Sequence, residues 1–165
     1  MKHILILLLC MLIWHVDTPA QSVTKTSHRT ALKNDVQTTG TMIVRKPDYI
    51  CIATDGGKDL LMMDGTTFTM TMGGKKHVTD SRKNPQFATF HTVLKAIING
   101  QPVPQGDDTS VTSAMGRTTI VIQPTGKKKR QLFTSFVLTI DNKTKSICTL
   151  RMNGRRGDYT EYSFK

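Results

Sequence analysis

Side chains able to act as acid, base or nucleophile gather in one stretch of the chain: His77, Asp80, Ser81 and His91. A serine with an acid and a histidine is the composition of a nucleophilic hydrolase site, where the base takes the hydroxyl proton and the acid orients the base. That chemistry also needs donors for the developing oxyanion, and the sequence holds neither a nucleophile-elbow pattern nor a glycine-rich phosphate loop. His77 reads instead as a strand-end residue and His91 as a helix-surface one, so the chain is expected not to be an enzyme. No two histidines stand at helical ligand spacing, and Cys51 and Cys148 have no ligating neighbours in sequence, so neither a metal nor another cofactor is expected. The two cysteines leave two readings open: a disulfide, if the chain is exported, or two packed thiols serving as small hydrophobes.

Charge is the next constraint. The 165 residues carry 23 Lys and Arg against 12 Asp and Glu, a net charge of +11. Such a field attracts lipid headgroups, polyanions and acidic proteins, or serves solubility alone. The run Lys127, Lys128, Lys129 and Arg130 reads either as a solvated loop or as an electrostatic dock for an acidic partner or headgroups. The N-terminus argues against nucleic acid as a partner. Met1-Lys2-His3 is a short basic start, Ile4 to Ile13 is apolar, and Thr18-Pro19-Ala20 offers small residues for a peptidase. That order is a secretory signal, and its apolar run is shorter than the about 20 residues a bilayer span takes. Residues 1–20 are therefore expected to be removed near Ala20, and residues 21–165 to act as one exported, monomeric domain.

These side chains need elements to hold them. Residues 21–34 read as a polar lead-in. Short runs of alternating residues then recur between turn signals: 38–46, 49–54, 58–63, 66–72 and 75–79, separated by Lys46-Pro47-Asp48, Asp55-Gly56-Gly57, Asp64-Gly65 and Gly73-Gly74. They resume at 109–114, 118–123, 132–140, 146–152 and 159–164. One segment breaks the pattern. Asn84-Pro85 is a helix cap with proline at the first helical position, Phe87, Phe90, Leu94, Ile97 and Ile98 recur at helical spacing, and Asn99-Gly100 stops the run. The expected fold class is mainly β: nine or ten antiparallel strands in an unclosed half-barrel, with one amphipathic helix.

A sheet of that size curls, because adjacent strands twist by about 20 degrees, and the helix is the element available to cover its concave face. Two readings follow: a helix packed permanently into an ordinary core, or a helical lid over an apolar cleft. Methionines concentrate at Met42, Met62, Met63, Met70 and Met72, and methionine suits a surface that must accept varied apolar partners.

The stretch Gly40 to Pro47, with Arg45 and Lys46 before the proline, followed by Ile50 to Thr54, Asp55-Gly56-Gly57-Lys58 and Leu60 to Met63, resembles the LolA-type outer-membrane lipoprotein carriers. The segment Lys76 to Phe90 is similar to a LolA-like branch associated with Bacteroidetes. The resemblance covers about residues 30–164. It implies an unclosed antiparallel barrel with a helical lid. It implies a periplasmic carrier that takes acylated lipoproteins from an inner-membrane lipoprotein-releasing ABC transporter toward an outer-membrane acceptor. By the same resemblance Met42, Val44, Ile50 and Ile52 face an acyl cleft, with Met70 and Met72 in the same wall. Phe136, Leu138 and Ile140 line its far side. Phe87, Phe90, Leu94 and Ile97 form the inner face of the lid, and Lys46 contacts it. Lys46 stands where the family carries arginine and lacks the planar fork of that residue, and the family's N-terminal helix is missing, which leaves a reduced lid. The alternative is a LolA-like module that binds another lipid or a protein partner.

Overall fold

The computed structural model describes residues 19–123 and 132–165. The expected signal segment, apart from Pro19 and Ala20, and the basic run Lys127 to Arg130 lie outside the described residues. Among the latter there are eleven strands and one α-helix. In chain order the strands are β1 (Gln21–His28), β2 (Val36–Arg45), β3 (Tyr49–Thr54), β4 (Asp59–Asp64), β5 (Thr67–Met72) and β6 (Lys75–Asp80). Then come α1 (Pro85–Ile98), β7 (Thr109–Ala114), β8 (Arg117–Ile122), β9 (Ser135–Asp141), β10 (Ile147–Asn153) and β11 (Tyr159–Phe164). No described helix is long and apolar enough to cross a membrane.

All the strands form one antiparallel sheet in the order β6-β5-β4-β3-β2-β1-β11-β10-β9-β8-β7. Every neighbour is a sequence neighbour except β1 and β11, which pair from Val23 opposite Phe164 to His28 opposite Tyr159. The sheet is thus a meander joined through its two ends, and its free edges are β6 and β7. Helix α1 connects those two edges. The chain crosses the gap that a further strand pairing would have closed, and it crosses it as a helix.

Strand β1 is the element missed by reading 21–34 as a lead-in, and it takes the strand count to eleven. Gln21 to His28 is rich in Ser, Thr and Lys, but it alternates: Val23 and Lys25 are buried on the inner face, while Thr24 and Thr26 are only partly covered. Its pairing on both sides, with β2 and β11, overrides its polarity. Strand β9 also begins later than the sequence suggests. Leu132 donates its backbone N–H to the Gln86 side-chain oxygen at 3.0 Å, which ties it to the helix rather than to a strand.

Alternation sorts the strands cleanly. Met42, Ile52, Leu61 and Met70 stand opposite one another across β2 to β5, as do Val44, Ile50, Met63 and Phe68, all facing inward. Helix α1 starts as the sequence demands, with the Asn84 side chain accepting from Gln86 N at 3.1 Å and Pro85 in the first turn. It stops at Asn99-Gly100, where Gly100 adopts a φ of 66°. Its buried face carries Phe87, Phe90, Val93 and Leu94. Phe90 stacks on Phe136 of β9 at 4.2 Å between centroids, and on Phe68 of β5 at 5.6 Å. Phe68 and Phe136 belong to opposite halves of the sheet, so the two helix phenylalanines join the halves across the gap.

Candidate functional site

The concave face has two ends with different contents. At the end bearing the β2–β3 loop it is filled by α1. Asn99 Nδ2 donates to the Pro47 carbonyl at 2.6 Å, and Lys95 Nζ lies 3.7 Å from the Asp48 carboxylate. The residues expected to line an acyl cleft are mostly here. Met42, Ile50, Ile52, Phe87, Phe90, Leu94, Phe136 and Leu138 are buried in one continuous core, and Val44, Ile97 and Ile140 pack against it. Over this half of the sheet α1 packs its inner face into that core and leaves Ala88, Thr92 and Lys95 exposed on its outer face. Lys46, expected to touch the lid, is exposed; its neighbours Pro47 and Asp48 make the contact instead.

At the opposite end, beyond the helix N-terminus, the face is not filled. A cavity of about 660 Å³ opens there. Met70 and Met72 at the end of β5, Met152 at the end of β10, and Phe133 supply its apolar wall. Of the expected cleft residues, Met70 and Met72 reach it. Met70, Met152 and Phe133 are buried, and Leu132 at the margin is 48% exposed. The polar rim comes from His77 on β6, Arg29 after β1, and the turn Gly154 to Asp158.

That rim is laced together. Thr30 donates its backbone N–H and its hydroxyl to Asp158 Oδ1 at 2.8 and 3.0 Å, and the hydroxyl also lies 2.7 Å from the Arg156 carbonyl. These donors hold the Asp158 carboxyl below the usual carboxylate range. Arg29 Nη1 donates to the carbonyls of His28 and Tyr159 at 3.1 and 3.5 Å. The Tyr159 ring is stacked on His28 at 4.9 Å and carries the Arg151 guanidinium at 3.6 Å from its centroid. Turn and strand end are therefore fixed around an apolar hollow.

A buried ion pair stands in the same concave wall. Lys25 of β1 donates to the Asp59 carboxylate at the start of β4, although β2 and β3 lie between them in the sheet. The curl of the sheet brings them together. Gly40 of β2 lies within the intervening surface, and a Cβ there would fall 1.9 Å from the Ala53 carbonyl oxygen, so only glycine fits the bend. Beside the pair, Tyr162 is 2% exposed, and burial raises its hydroxyl pKa, with the Asp59 charge adding to the shift.

The acid, base and nucleophile stretch does not converge on a triad. Asp80 is engaged by Arg82, whose Nη2 donates to Oδ2 at 2.6 Å, and this holds the Asp80 carboxyl well below the usual range. Ser81 is buried, and its backbone N–H bonds to the Thr66 carbonyl at 2.8 Å. His77 lies in the middle of β6 on the cavity rim rather than at a strand end. His91 is not a surface residue: it is half-buried, edge-on to Phe68 at 6.3 Å, with its Nε2 buried. Among the described residues no group of three His, Cys, Asp or Glu is placed to hold a metal. Cys51 and Cys148 are free, half-buried thiols on β3 and β10.

Sequence reasoning passed over Arg29, Phe133, Met152, Arg156 and the Lys25–Asp59 pair. The signal for Lys25 was its phase with Val23 in a two-residue alternation. No comparable signal marks Phe133 or Arg156, because both lie outside the strands.

No family model matches the chain, and no curated protein matches it. Among solved structures it is similar to a LolA superfamily protein from Nitrosomonas europaea, at 7% identity over 91% of this chain and 86% of that one, with a TM-score of 0.34. It is also similar to a DUF1329 family protein from Desulfovibrio piger, at 10% identity over 88% and 82%, with a TM-score of 0.37. A third is an outer membrane lipoprotein-sorting protein domain from Vibrio parahaemolyticus, at 8% identity over 88% and 82%, with a TM-score of 0.36. Independently of these, the architecture is the unclosed antiparallel sheet with a single main helix that the LolA-like resemblance implied.

Proposed function

We propose that this protein is a non-catalytic periplasmic carrier that holds acyl chains of lipoproteins in the cavity at the unplugged end of its half-barrel. It would take them from an inner-membrane ABC transporter and pass them to the outer membrane. The observation that carries the reading is the cavity itself: about 660 Å³, walled by Met70, Met72, Phe133 and Met152. Pockets of about 300–1,000 Å³ bury most of a drug-sized ligand. With roughly 30 Å³ per atom, the volume share of a water molecule, this one holds on the order of one long acyl chain. Each methylene transferred from water contributes about 0.8 kcal/mol, which makes a dozen buried methylenes ample for stable capture. Three methionines in one wall support cargo of varied chain structure, because the thioether side chain re-packs at low cost.

The test is native mass spectrometry of the chain recovered from a periplasm, alone and with added diacylated lipopeptide. The control is Met72→Glu, which places a carboxylate in the cavity from a half-exposed position. Acylated cargo on the wild type that is absent from a folded Met72→Glu supports the carrier reading. An empty wild type that also refuses the lipopeptide sinks it and leaves a protein-binding module on the same fold.

A further inference from the structure

The cavity wall accounts for a tail; the rim selects a head. We propose that the preferred occupant carries an anionic headgroup on a single acyl chain, with the anion held at the mouth by Arg29 and Arg156. This rests on the reading of the cavity as an acyl site and goes beyond it, favouring a single-chain anionic lipid over a lipoprotein anchor as the preferred occupant.

Three arginines, one histidine and one acid border the hollow: Arg29, Arg155, Arg156, His77 and Asp158. Asp158 keeps its negative charge and interacts with Arg29, so it offsets one of the three arginines and leaves the rim net positive. Among the described residues Arg29 donates through Nη1, to two carbonyl oxygens. The rest of its planar fork remains for a second acceptor, and a guanidinium presents five donors in all. Arg156 is held in a left-handed conformation, with a φ of 60°. The Thr30 hydroxyl bond to the Arg156 carbonyl fixes that turn against the loop after β1. The arrangement therefore puts two guanidinium groups from separate loops on the margin of an apolar hollow. Methionine and phenylalanine floors attract any chain, whereas this margin discriminates by charge.

The headgroup chemistry is shared by a fatty-acid carboxylate and a lysophospholipid phosphate, so the experiment carries both. Binding of four probes of equal chain length to the chain from Gln21 is measured by calorimetry below their micelle concentrations. The probes are palmitate, palmitoyl-lysophosphatidylglycerol, monopalmitoylglycerol and hexadecyltrimethylammonium. At least one anionic probe is expected to bind about tenfold or more tightly than the neutral monoglyceride, the effect of a charge-assisted hydrogen bond. Which anion leads identifies the source. Arg156→Asn removes the guanidinium while placing at φ 60° a residue that tolerates that conformation, so the fold is kept. It is expected to narrow the anionic advantage at least about threefold and to leave monoglyceride binding unchanged. Arg29→Gln with Arg156→Asn is expected to abolish the advantage, with circular dichroism reporting the fold. Equal affinity for the neutral and anionic probes would overturn the headgroup inference while leaving acyl binding standing. Tightest binding of the cationic probe would overturn it as well. Refusal of all four probes would remove the acyl reading and this inference together.

Discussion

Replacing Lys25 with methionine keeps an unbranched side chain, one atom shorter, and removes its charge. In the folded protein Lys25 is 5% exposed, and its partner Asp59 is 15% exposed at the side chain. The variant would leave a carboxylate in the concave wall facing Tyr162, with the Gly73 backbone N–H at 3.4 Å as its remaining donor. Removing one member of a buried pair typically costs about 3–5 kcal/mol, because the other charge stays desolvated without a counter-ion. Domains of this kind are stable by about 5–15 kcal/mol, so Lys25→Met is expected to remove a large part of the total. Lys25→Met with Asp59→Leu removes both charges, and a buried pair exchanged for apolar residues is often neutral or stabilising by about 1–4 kcal/mol. The double variant should therefore recover most or all of the loss. Urea unfolding followed by circular dichroism measures each variant, with the m-value checking that the unfolded state is unchanged. A cost below about 1 kcal/mol for Lys25→Met, the value of an exposed ion pair, would refute the claim that this pair is part of the interior. A double variant as unstable as the single one would refute the electrostatic account and leave packing.

Other outcomes follow from the same contacts. Phe90→Ala removes a ring with no exposed surface that touches both halves of the sheet, and is expected to cost about 3–5 kcal/mol in chemical denaturation. Phe136→Glu should fail to give a folded protein by the same assay, since its ring is wholly buried in that cluster. Gly40→Ala places a methyl group on the Ala53 carbonyl and is expected to lower stability by about 1–3 kcal/mol or more, whereas Met115→Gly, at an exposed hairpin tip with a φ of 50°, should leave the melting temperature unchanged or higher. The carboxyls of Asp141 and Asp158 are held low by backbone N–H donors, Thr144 and Lys143 for the first and Thr30 for the second. The unfolded chain then binds more protons, so this stabilisation is present above the unfolded value near pH 3.9 and is lost as pH falls through the lower folded values. A melting temperature that drops on acidification below about pH 4, with a shallower drop in Asp141→Asn and Asp158→Asn, checks it. Tyr162 acts in the opposite direction. Its raised value makes its contribution complete below about pH 10 and lost above it as the unfolded phenol ionises, so Tyr162→Phe should flatten the alkaline limb of the same profile.

Much of the fold was legible because its signals are local. Turn residues at Asp55-Gly56-Gly57, Asp64-Gly65 and Gly73-Gly74 punctuate the meander, and Asn84-Pro85 and Asn99-Gly100 bound α1 almost to the residue. Two-residue alternation put Phe136 and Leu138 on one face, and the family resemblance placed them with Met42, Ile50, Ile52 and Met70 facing inward, where all six are buried. Strand β1 was not legible, because Ser, Thr and Lys outnumber its apolar residues and its place depends on two partners, one of them at the far end of the chain.

The site divides in the same way. The sequence by itself determined an antiparallel meander, an amphipathic helix between its two outer strands, a methionine-rich inner face and a strong positive charge. Those properties follow from nearest-neighbour chemistry along the chain. Only the tertiary structure decided where the hollow lies. Pairing of β1 with β11 sets which strands are edges, the helix must cross from one edge to the other, and a helix of fourteen residues fills one end of the bowl and not both. The unfilled end then gathers Met72, Phe133, Met152, Arg29 and Arg156 from distant parts of the chain. The curl of the sheet brings Lys25 to Asp59 across two strands. Such meetings depend on register and curvature, which are properties of the whole sheet and of no single segment.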